Sequence, residues 1–69
     1  MELEDELLEK GFESNGPFVV SKLSEAITHQ VNKYKLNIKE IHIIRGEEAR
    51  KDMEEYKGLY MIYVKTKSR

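Results

Sequence analysis

The stretch GLYMIYVKTK, residues 58–67, constrains the fold of this chain more than any other. Side chains along a strand point alternately to opposite faces, so a strand covered on one side alternates apolar and polar. Here Tyr60, Ile62 and Val64 fall on one face and Leu59, Met61 and Tyr63 on the other, and both sets are apolar. The strand has to be covered twice, and a chain of 69 residues has little material for two covers. A domain of this size buries only about 60% of the surface its unfolded chain exposes. With Gly counted and Tyr left out, 27 of the 69 residues are apolar, a share of 39%, where roughly 45–50% is usual. There is no cysteine, so neither a disulfide nor a thiolate metal site staples the chain, and self-association or a partner is the expected supplement.

The rest of the chain supplies candidate covers. MELEDELLEKG reads as a short helix with Leu3, Leu7 and Leu8 on one stripe, acids at the end where the helix dipole favours them, and Gly11 as its stop. The other reading of the same residues is an acidic arm. Asn15-Gly16-Pro17 is a turn and breaker combination, which predicts a loop and divides the chain into a loosely attached segment 1–16 and a single small domain 17–69. Phe18-Val19-Val20 then reads as a short strand. SKLSEAITHQVNKYKLN is the strongest helix, with Ser21 as its N-cap, Leu23, Ala26, Ile27, Val31 and Tyr34 on one face, and Asn37 at its end.

IKEIHIIR, residues 38–45, predicts a strand with Ile41 and Ile43 on one face and His42 and Ile44 on the other. Residues 47–57 predict a short helix with a thin stripe of Ala49, Met53 and Tyr56, supported by Glu47–Lys51 and Lys51–Glu55 pairs four apart. A crossover helix usually has a wider apolar stripe than that, so the last two strands are expected to pair antiparallel rather than parallel. The fold class is α+β: a small, mostly antiparallel sheet of two or three strands against one long amphipathic helix, with a short N-terminal helix and a short helix between the last two strands.

Charge alternates in blocks along the chain although the net charge is only −1. Residues 1–17 sum to −5, 18–46 to +3, 47–58 to −2 and 59–69 to +3. Such blocks favour pairing within the molecule or between subunits, and they argue against a uniformly basic nucleic-acid binder. No apolar run approaches a membrane span and the N-terminus is acidic where a secretory signal would be basic, so a soluble, cytoplasmic protein without membrane contact is expected.

Catalytic and cofactor patterns are weak. The acids Glu47, Glu48, Asp52, Glu54 and Glu55 lack the spacing and central Gly of a calcium loop and read as a solvated acidic patch. His29 and His42 fall on different elements, no Ser lies in a G-x-S-x-G turn, and the glycines are isolated, so neither enzyme chemistry, nor a metal, nor a cofactor is expected. The strand order, with IHIIRG and GLYMIYVKTK after a long helix, resembles at the level of pattern that of dodecins, small flavin-binding proteins in which a sheet faces a helix and which assemble into shells. The residue on which that family stacks its flavin is a Trp, and this chain has none, so no site is carried over.

Two functions follow from the sequence. The first is a non-enzymatic protein–protein interaction module, a regulator or inhibitor of the kind mobile elements and phages encode, docking on another protein or on itself as a homodimer. Its interaction surface would be the second strand face, His42, Ile44, Leu59, Met61 and Tyr63, with the acidic patch as a possible mimic of nucleic acid. The alternative is a nucleic-acid-binding module in which Arg45, Tyr63, Lys65, Lys67 and Arg69 supply bases and an aromatic at one sheet end.

Overall fold

A computed structural model describes residues 2–67. The elements in chain order are α1 (Leu3–Glu9), β1 (Glu13–Phe18), α2 (Leu23–Tyr34), β2 (Ile38–Arg45), the one-turn helix α3 (Gly46–Ala49) and β3 (Tyr60–Thr66). Single 3₁₀ turns at Val20–Lys22 and Lys35–Asn37 extend α2 at both ends, and a third covers Glu54–Tyr56. The fold is α+β, with a three-stranded sheet in the order β1-β3-β2. Both pairings are antiparallel, as expected for the last two strands.

The doubly apolar strand is the central one. Met61, Ile62, Tyr63 and Val64 have no solvent exposure, and their two faces enter two separate clusters. Ile62 and Val64 pack with Ala26 of α2, flanked by Phe18, Leu23, Ile27, Tyr34 and Ile38. Met61 and Tyr63 pack with Leu7 of α1, Phe12 and Ala49 of α3, flanked by Ile44 and Tyr56. The chain thus covers the second face itself, with α1 and the segment around α3.

Several local expectations are corrected. Segment 1–16 is not a loose attachment, because Glu13, Ser14 and Asn15 pair with Val64, Tyr63 and Ile62 as part of β1. The turn-forming Asn-Gly-Pro lies within this edge strand: the Gly16–Pro17 peptide is cis, and the register shifts between Asn15 and Phe18. Pro is tolerated at such a place because its missing N–H faces no partner. The strand ends at Phe18 rather than running through Val20. Lys22, not Ser21, occupies the N-cap of α2. The buried positions of α2 are Ala26 and Gln30, while Val31 is half exposed, so the inward face is turned by about one residue from the expected stripe.

The 47–57 helix is also broken. Only Gly46–Ala49 and Glu54–Tyr56 are helical, and Arg50 leaves the helix in an extended conformation. In place of i, i+4 pairs, Arg50 reaches acids at both ends of the chain segment it bridges, as described below.

Gly46 fixes the start of this excursion. Its N–H donates to the Leu59 carbonyl at 2.7 Å, and a Cβ at this position would run into the backbone carbonyl of Tyr56. Gly46→Ala is therefore expected to destabilise the fold by about 1–3 kcal/mol, the usual cost of forcing atoms into a packed site. Urea unfolding of the two proteins measures it directly.

Candidate interaction surface

The residues expected on one interaction surface separate. Met61 and Tyr63 are fully buried beneath α1 and cannot meet another molecule. Ile44 and Leu59 are half-buried, Ile44 against the same cluster. His42 stays exposed, its ring edge-on to Phe12 at 5.2 Å and its Nε2 3.3 Å from Glu40 Oε1. The expected patch is corrected to this one accessible residue with its half-buried neighbours, because the sequence had left α1 as a weak cover and the structure seats it firmly.

What seats α1 is a buried carboxylate. Glu4 is 6% exposed and accepts hydrogen bonds from Tyr63 Oη at 2.8 Å, Ser14 Oγ at 3.2 Å and Arg50 Nη1 at 3.3 Å. Arg50 also donates to Asp5 and, through both Nε and Nη2, to Asp52. The Lys51 N–H donates to the Glu2 carboxylate at 3.0 Å. A charge buried with three donors is tolerated where a lone one would not be. The leucine stripe missed this, since Leu3 and Leu8 are substantially exposed and the buried pair on α1 is Glu4 and Leu7. The available signal was the excess of acid over base in residues 1–17 opposite a lone Arg50 in an acid-rich segment.

The network shifts its members. Burial raises the Tyr63 phenol well above the ordinary tyrosine range, and the bond to Glu4 adds to it. Tyr56 moves the same way, chiefly through burial and then through the Glu4 charge. Arg50 is held more firmly protonated by its Asp52 bonds, and Asp52 is lowered by Arg50 in return.

The five acids expected as one patch are all exposed but lie in different surroundings. Glu47 accepts the Gly58 N–H at 3.2 Å; backbone bonds, its own N–H first and then that of Gly58, lower its pKa. Glu48 borders a shallow groove with Glu6 of α1 and Glu2 just before that helix. Asp52 is engaged by Arg50, and Glu54 and Glu55 stand on the 3₁₀ turn.

The basic sheet end is likewise dispersed. Arg45 stands opposite Tyr60 and Lys65 opposite Glu40, at opposite ends of a strand and roughly 16 Å apart at about 3.3 Å per residue. The Lys65 ammonium lies over the Phe12 ring, 5.7 Å from its centre. Lys67 is exposed, Tyr63 has no face free for a base to stack on, and Arg69 lies outside the described residues.

The surface that remains open is the outer side of β2. Every residue from Lys39 to Ile43 is exposed, including Ile41 at 37% and Ile43 at 45%. These two stand opposite Val64 and Ile62, so they extend the face that α2 covers beyond the reach of that helix. The backbone edge is open as well. Because Gly46 N–H points to Leu59 and the register is continuous from Glu40 to Arg45, strand alternation turns the N–H and C=O groups of Ile41, Ile43 and Arg45 outward. Among the described residues no helix is long and apolar enough to cross a membrane. No protein family, curated protein or solved structure matches this chain.

Tyr63→Phe removes one of three donors from buried Glu4, and a loss of about 1–3 kcal/mol is expected near neutral pH. The phenol is raised in the folded state, so the unfolded chain releases its proton first. The stability this group contributes is whole below pH of about 10 and declines as pH rises toward the raised folded value. Melting temperatures from pH 8 to 12 should therefore fall less steeply for Tyr63→Phe than for the natural chain.

Proposed function

We propose that this chain is a small protein–protein interaction module, a regulator that acts by occupying its partner rather than by chemistry. The observation that carries this reading is the outer side of β2, where two half-exposed isoleucines border a row of outward backbone donors and acceptors. An edge of this kind is a template for pairing with another chain. The opposite edge supports the contrast. β1 has six residues, a Pro and a register shift, features that blunt an edge against pairing.

Ile41→Asp combined with Ile43→Asp tests the reading without touching the buried clusters. The intact chain, immobilised and exposed to extract from its own cells or to a second tagged copy of itself, is expected to retain a specific protein that the double variant loses by tenfold or more. An unchanged set of retained proteins, with both chains folded by circular dichroism, would sink the proposal.

A further inference from the structure

We infer that the partner for the β2 edge is a second copy of this chain, joined by antiparallel β2–β2 pairing about a twofold axis at Ile41, so that three strands become a continuous six. This rests on the reading of β2 as the docking edge and adds both the occupant and the register. A twofold axis perpendicular to the sheet keeps each face on its own side, so residues of like parity must oppose each other. The outward-pointing Ile41, Ile43 and Arg45 then limit the choice to axes through single residues.

Charge decides among them. With the axis at Ile41, Glu40 of each copy stands opposite His42 of the other, twice by symmetry, in the closely spaced pairs where cross-strand side chains meet. Ile41 exchanges both backbone hydrogen bonds with its own copy. An axis at His42 sets Lys39 opposite Arg45 twice and His42 opposite itself, and an axis at Glu40 sets two carboxylates together; like charges so placed are destabilising. An axis at Ile43 shortens the overlap and sets Glu40 opposite Gly46, so that it gains no complementary pair along β2. Only the axis at Ile41 places unlike groups together and no like charges.

Packing agrees. Ile41 and Ile43 lie on the α2 face of the sheet, 37% and 45% exposed, because α2 covers Ile62 and Val64 and stops short of the edge. Joining two edges brings four isoleucines into one strip between the two α2 helices. Lys39, Glu40 and Arg45 flank the apolar centre and oppose register slips that would lead to open-ended association.

Two experiments test this on the full chain. Ile41→Cys introduces the sole cysteine at the one position that faces itself, at a Cα separation of about 5.5 Å suited to a disulfide. Under mild oxidation it is expected to form covalent dimers at least tenfold faster than His42→Cys or Ile43→Cys. Equal or faster linking at 42 or 43 overturns the register. In the second, Glu40→Lys and His42→Glu are each expected to weaken dimerisation about tenfold, two cross-strand pairs being altered in each, and an equimolar mixture of the two is expected to recover it. That recovery cannot come from the Glu40–His42 contact within one chain. No recovery on mixing overturns the inference, as does a monomeric mass by light scattering up to millimolar concentration. A monomer that nonetheless retains another protein through Ile41 and Ile43 would leave the docking edge standing and refute only the second copy.

Discussion

Because Met61 to Val64 of β3 are excluded from solvent on both faces, this strand requires a neighbour on each edge and a helical cover on each side. Every other element answers one of those four requirements. β1 and β2 supply the edges, α2 the cover over Ile62 and Val64, and α1 with α3 the cover over Met61 and Tyr63. The order of elements along the chain follows. The excursion from Gly46 to Leu59 must return the chain antiparallel beside β2 and also lay Ala49 and Tyr56 over the second face, which explains why it is a pair of short turns and not one regular helix.

The weakest cover is α1, seven residues long, well under the length at which an isolated helix is stable in water. Leu7 alone would anchor it poorly. The anchor is electrostatic: Glu4 joins the Tyr63 hydroxyl beneath it, Ser14 on β1 and Arg50 after α3, so one carboxylate links four separate elements. Arg50 in turn spans Asp5 and Asp52, which reconciles the strongly acidic N-terminal block with the acid-rich 47–58 segment through a single guanidinium. A buried ionic cluster of this kind is costly to break by removing one member, because the remaining groups are left buried and unpaired.

Much of this was legible in the residues and some was not, for identifiable reasons. The β2–β3 pairing followed from the strand-like runs IKEIHIIR and GLYMIYVKTK and from the thin stripe between them. The long helix was legible from its 3.6-residue period, although its inward face takes Gln30 where the period favoured Val31. β1 was hidden because Asn-Gly-Pro signals a turn locally, while the need of β3 for a second edge overrides that signal at long range. Tyr63 was read as a surface aromatic for the same kind of reason: its partner Glu4 is 59 residues away, and no local pattern announces a buried carboxylate in an acidic helix.

These constraints also define what is left open. With Glu4 holding α1 over Met61 and Tyr63, the face the sequence nominated for docking is closed, and with Pro17 in β1 one edge is blunted. α2 runs over the central strand and reaches neither Ile41 nor Ile43 sufficiently to bury them. Val31 of α2 adds nothing to the cover, since it remains 48% exposed. The structure therefore concentrates its unpaired backbone groups and its uncovered sheet surface on the same side of the same strand. Each alone is common in small proteins; together they are the observation on which the proposed pairing through β2 rests.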